Sequence, residues 1–136
     1  MPHIRPSTFL RYALLGDALA SGATGLLAFA GADALASLLG LPQPLLRYAG
    51  LVLLPYALFV WWLGRRASAP RGAIWAVVVM NALWAAGGAV LVASGSVAPT
   101  MLGAAFVIAQ ALAVAGFAAA QAYGLGSNAS ARLLEA

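Results

Sequence analysis

Six polar side chains stand inside otherwise apolar runs of this chain: Asp17, Ser21, Thr24, Tyr56, Asn81 and Gln110. Asp17, Ser21 and Thr24 are spaced by four and three residues, so on a helix they share one face. The other three come from three different apolar runs. At about 1.5 Å per residue, Asp17 lies roughly 12 Å into the run that begins at Phe9. Asn81 is similarly deep behind Ala73, Tyr56 is not far off when counted back from Arg65, and Gln110 is nearer the middle of its run. One polar residue per helix at comparable depth predicts a single polar layer in a bundle core. Asp17 is then expected to point inward, within hydrogen-bonding reach of Asn81, Tyr56 or Gln110.

A carboxylate at that depth costs about 2.5–3.5 kcal/mol on insertion scales, so it faces the interior and often carries a function. Two roles stay open for Asp17. It can take up a proton or a cationic ligand, or it can hold helix register through hydrogen bonds to Asn81, Tyr56 or a neighbouring arginine. Asn81 and Gln110 are the kind of residue that ties helices together in an apolar medium. Asp33 and Arg47 fall on the same outer side and can pair, as an anchor rather than as chemistry.

Other chemistry finds no residues to carry it. The chain has no cysteine, which excludes disulfides and thiolate metal sites, and its one histidine, His3, lies in the N-terminal tail. A metal or haem site is therefore not expected, nor is any other cofactor. No paired carboxylates, Ser–His arrangement or phosphate-cradling loop occurs, and the glycines are scattered. The expectation is a protein without catalytic residues.

Composition fixes the setting of these residues. Of 136 residues, 64% are hydrophobic and 7% charged, against about 25% charged in an ordinary soluble domain. So few charges cannot cover the surface of a soluble globule, which excludes a cytosolic enzyme, a disordered tail and a nucleic-acid binder. The net charge of +4 arises from seven arginines and three acidic residues, with no lysine. The arginines sit at the ends of apolar runs and form no patch with interleaved aromatics, so lipid headgroups rather than nucleic acid are their expected partners.

Crossing about 30 Å of hydrocarbon takes roughly 20 apolar residues as a helix. Four runs meet that length: Phe9 to Ala30, Leu45 to Leu63, Ala73 to Ala93 and Met101 to Tyr123. Pro42 and Pro44, Pro70-Arg71-Gly72 and the stretch from Gly95 to Pro99 punctuate them. The fold class expected is thus an all-α membrane protein, a four-transmembrane-helix bundle formed by residues 1–126, with a short polar tail at 127–136. A cleavable signal peptide at the N-terminus is rejected, because the apolar stretch before Ala18-Leu19-Ala20 is too short and holds Asp17. Between the first two runs, Leu35, Leu38 and Leu39 fall at helical spacing between Gly31 and Gly40-Leu41-Pro42. That predicts a short interfacial helix over about residues 31–40.

Orientation follows the arginines. Arg5, Arg11, Arg65, Arg66, Arg71 and Arg132 fall on one side of the four runs, and Arg47 alone on the other. The positive-inside rule then puts both termini in the cytoplasm. Trp61, Trp62, Trp75 and Tyr123 near the inner ends, and Tyr48 near an outer end, suit aromatic belts. Small residues four apart (Gly16 and Ala20, Ser21 and Gly25, Ala82 and Ala86, Ala105, Ala109 and Ala113, Ala111 and Ala115) allow close helix contact, within one chain or between copies. Pro55 frees a carbonyl in the second run and predicts a kink there.

Leu10-Arg11-Tyr12-Ala13-Leu14-Leu15-Gly16 opening the first run, the short outer helix, the run Leu39-Gly40-Leu41-Pro42-Gln43-Pro44-Leu45 and the Arg-Arg inner loop resemble the DoxX-like small membrane proteins over about residues 9–93. The acidic residue expected early in the second span and the lysine at the end of the first are absent, so no catalytic residue carries over. The resemblance implies a multi-pass protein of the bacterial inner membrane and an accessory role beside quinone-linked complexes. The function expected is that of a non-catalytic accessory or scaffold subunit, in contact with lipid and associated with itself or with a larger membrane complex. The alternative is a small proton- or cation-coupled transporter or channel using Asp17. A dry, fully paired Asp17 speaks for structure, and a water-filled cavity reaching it speaks for transport.

Overall fold

A computed structural model describes residues 2–135. Four long helices, each apolar and long enough to cross a membrane, and one short helix make up most of the described chain. Their ends follow from local chemistry. Helix α1 (Thr8–Ala30) begins at Ser7, whose Oγ accepts from the Leu10 N–H at 3.2 Å, satisfying one of the free donors of the first turn. It stops at Gly31, and α2 (Ala32–Leu39) follows at once. Gly40 closes α2 with φ at 65°, a left-handed conformation that glycine adopts without steric cost. The eight residues of α2 match the short helix expected between Gly31 and Gly40.

Helix α3 (Gln43–Arg65) starts behind Pro42 with Pro44 in its first turn, where the missing N–H costs nothing. Pro55 sits inside α3 on an exposed face. Helix α4 (Arg71–Ala93) follows Pro70. Helix α5 (Met101–Glu135) is capped by Thr100, whose Oγ1 accepts from Gly103 N–H at 3.1 Å and donates to the Leu38 carbonyl at 2.9 Å. One threonine thus starts α5 and fastens it to the end of α2.

Two features depart from the sequence expectations. Helix α5 runs for 35 residues, continuing through Tyr123 and the segment read as a polar tail. It is held there by the N-terminal segment: Asn128 Nδ2 donates to the Arg5 carbonyl at 2.7 Å and Arg132 to the His3 carbonyl at 3.1 Å. A tail with this much tertiary bonding keeps its helix, where a free one frays. The second departure is a small antiparallel ladder between β1 (His3–Ile4) and β2 (Ala69–Pro70), with Ile4 opposite Ala69. Both of those residues are buried. Two residues are too few to leave a periodic signal.

The long helices pack as two close pairs, α1 with α3 and α4 with α5. In the first pair the backbones nearly touch: a Cβ on Gly50 would lie 2.7 Å from the Gly25 carbonyl oxygen and 2.6 Å from the Phe29 nitrogen. In the second, Gly88 faces Val107 and Ala111. The pairs meet where Gly124 of α5 lies against Leu10 of α1 and Gly16 against Phe117. At the end carrying the termini, Leu10, Leu14, Val60, Leu63, Ile74, Val77 and Leu125 form a core closed to solvent. At the opposite end, α2 plugs the assembly with Ala32 and Leu39 packed against Leu41, Leu46 and Val107. The outward faces of the long helices carry Leu19, Leu26, Leu58, Leu83, Val90 and Leu112, all exposed, while the buried polar residues face inward. That is the reverse of a water-soluble helix.

Candidate functional site

Between the two apolar ends lies a cluster of polar side chains, and Asp17 is at its centre. Its carboxylate is completely buried. Oδ1 accepts from Ser21 Oγ at 3.0 Å, one helical turn along α1. Oδ2 accepts from Asn81 Nδ2 of α4 at 2.7 Å and from Gln121 Nε2 of α5 at 2.8 Å. The Tyr56 hydroxyl of α3 stands 3.2 Å from the same oxygen and 2.8 Å from Asn81 Oδ1. Having one proton, Tyr56 donates mainly over the shorter distance and so locks the Asn81 amide. Asn81 Nδ2 also reaches Gln121 Oε1 at 3.1 Å. Because an ionised carboxylate only accepts, both amides must turn their N–H groups toward it.

All four long helices therefore contribute to one network. No buried side-chain polar atom among the described residues lacks a partner. No arginine takes part: the one ion pair among the described residues is Asp33–Arg47 at 3.7 Å, an exposed contact at the α2 end that Gln43 also joins at 3.1 Å from Asp33. Neutral donors alone hold the Asp17 carboxylate. Hydrogen bonds to a charged group contribute about 1.5–3 kcal/mol each, so several together offset a burial cost of several kcal/mol.

The sequence brought four of these residues into view: Asp17, Ser21, Tyr56 and Asn81 meet in the structure. Thr24 and Gln110 do not join them. The register that sets Leu10 against Gly124 and Gly16 against Phe117 puts Gln110 level with Thr24, one to two turns beyond Asp17 toward α2. The amide that reaches Asp17 belongs to Gln121, eleven residues further along α5, or about 16 Å. Counted from Met101, Gln121 falls at the end of an apolar run next to Tyr123 and reads as an interfacial residue. Counting back from the arginine-bearing end, together with the lean of helical side chains toward the N-terminus, would have exposed it.

Thr24 and Gln110 instead line a cleft of about 250 Å³ between the two helix pairs, with Ser21, Tyr56 and Asn81 at its polar end. Met80, Trp84, Phe106 and Phe117 are among its apolar walls. Asp17 does not line it; its hydrogen-bonding partners stand in between. Neither Thr24 nor Gln110 has a side-chain hydrogen bond within the described chain. The described residues hold no group of three His, Cys, Asp or Glu side chains that could bind a metal ion. No family model, curated protein or solved structure matches this chain.

Proposed function

We propose that this chain is a four-helix protein of the bacterial inner membrane, with α2 in the outer interface and both termini in the cytoplasm. Its role is that of an accessory or scaffold subunit without catalytic residues, associated with itself or with a larger, quinone-linked membrane complex. The observation that carries this reading is the saturation of Asp17. Its two oxygens take donors from α1, α4 and α5 and lie against the Tyr56 hydroxyl of α3, so the hydrogen bonds gathered at this carboxyl group hold the helices in register. The arginine asymmetry supports the orientation, the outward apolar faces support lipid contact, and the DoxX-like layout of residues 9–93 supports an accessory role.

The test is extraction from native membranes in a mild detergent, followed by native mass spectrometry. The expected result is one assembly of defined stoichiometry, either several copies of this chain or this chain with a fixed partner. A monodisperse monomer with no partner refutes the subunit role. Transport coupled to Asp17 is the second reading, and one observation favours it: the cleft reaches Ser21, Tyr56 and Asn81, the residues in direct contact with the carboxylate. A pH-dependent flux in liposomes that is lost with Asp17→Asn establishes transport instead.

A further inference from the structure

The cleft between the helix pairs differs from an ordinary packing defect in what lines it. Two polar side chains without partners, Thr24 and Gln110, stand level with one another on opposite helix pairs. In an apolar surrounding, a primary amide without hydrogen bonds costs several kcal/mol, whereas leucine at position 110 costs nothing. Trp84, Phe106, Phe117 and Tyr56 supply aromatic surface on three of the four helices. No charged side chain lines the cleft.

We propose that this cleft binds a neutral, lipid-dissolved molecule built on one or two fused planar rings and bearing an oxygen that Gln110 and Thr24 hydrogen-bond. Size sets the ring system: an apolar cavity of roughly 150 Å³ holds benzene, and this cleft has about 250 Å³. The aromatic walls favour a flat ring, which gains from stacked or edge-on contact. The absence of charge in the lining excludes an ionic ligand, which would enter the apolar interior without a counterion. A lipid acyl chain fits the walls but leaves both polar groups unsatisfied. The rim supplies the route: Ala20 on α1 and Ala109 and Ala113 on α5 are exposed and small, so the ligand enters sideways from the hydrocarbon. Asp17 behind the polar end binds nothing itself and keeps Tyr56 and Asn81 in place.

The site rests on the reading that the long helices cross a bilayer, and not on the accessory role. Incorporation of the chain into phosphatidylethanolamine–phosphatidylglycerol nanodiscs is therefore checked first and separately. The probe is 6-bromo-2-naphthol, whose bromine quenches a tryptophan in contact with it. The wild type should show a saturable quenching component that disappears in Trp84→Phe. Gln110→Leu and Thr24→Val should each raise its Kd by about tenfold, the worth of one hydrogen bond. Ala113→Phe, which fills the cleft, should abolish saturation, and 2-bromonaphthalene, lacking the oxygen, should bind no better than Gln110→Leu binds the naphthol. Gln110→Leu breaks no contact, so it carries the test even where Ala113→Phe fails to assemble. Quenching that is linear in probe and the same in every variant overturns the proposal, as does equal affinity for the two probes. Quenching of Trp84 by brominated lipid chains that the naphthol cannot displace assigns the cleft to lipid and overturns it as well.

Discussion

Replacing Asp17 by asparagine removes the charge and keeps the shape, and the network permits a numerical expectation. Asparagine can place its carbonyl oxygen where Oδ2 now accepts from Asn81 and Gln121. Its amide then faces Ser21 Oγ, which accepts instead of donating and turns its own proton to a backbone carbonyl. The Asn81 and Gln121 donors stay satisfied, but the second N–H of the new amide is left without an acceptor, at about 1–3 kcal/mol. Three hydrogen bonds change from charge-assisted to neutral, a loss of about 1 kcal/mol each, or about 3 kcal/mol in all. Against this, removal of a buried carboxylate relieves about 2.5–3.5 kcal/mol. The relief offsets these losses only in part, and Asp17→Asn should be less stable than the wild type by about 1–3 kcal/mol. Asp17→Leu has a similar branched shape but accepts nothing. It turns the Asn81 and Gln121 amides toward methyl groups, at about 1–3 kcal/mol per unsatisfied donor, and should cost about 2–6 kcal/mol. Equilibrium unfolding in bicelles by steric trapping measures both variants. Asp17→Asn as damaging as Asp17→Leu refutes the argument, because the negative charge itself would then be what holds the helices.

Other positions give independent checks. Gln121→Leu should destabilise by about 1–3 kcal/mol, while Gln110→Leu should leave unfolding unchanged or slightly more difficult; the reverse order in bicelle unfolding would contradict the assignment of Gln121 to the polar layer. Gly50→Val should drive α1 and α3 apart, since its Cβ would meet backbone atoms at 2.6–2.7 Å, and should cost at least about 1–3 kcal/mol. For orientation, a cysteine at Ser96 should react with an impermeant maleimide added outside spheroplasts and one at Ser68 should not; the opposite pattern overturns the cytoplasmic placement of the termini.

The elements of this fold were legible because their causes are local. Hydrophobic length, Pro42, Pro44 and Pro70, and Gly31 and Gly40 delimit every long helix within a few residues except at the C-terminal end of α5, and none of these signals depends on a distant part of the chain. The face of Asp17, Ser21 and Thr24 was legible for the same reason, since helical spacing alone sets it. Depth arithmetic then found Tyr56 and Asn81, because those residues project nearly straight across from Asp17. What counting α5 from Met101 could not supply was the axial offset between helices. That offset is set by which glycine lets which backbone approach: Gly25 against Gly50, Gly124 against Leu10, Gly16 against Phe117. It brings Gln121 up to the carboxylate and leaves Gln110 and Thr24 facing an open cleft. Likewise the ladder of Ile4 with Ala69 and the helical course of residues 127–135 come from contacts between segments more than sixty residues apart. Chain chemistry decides where a helix begins and which stripe is polar. Which polar residue meets which is decided only when the backbones pack.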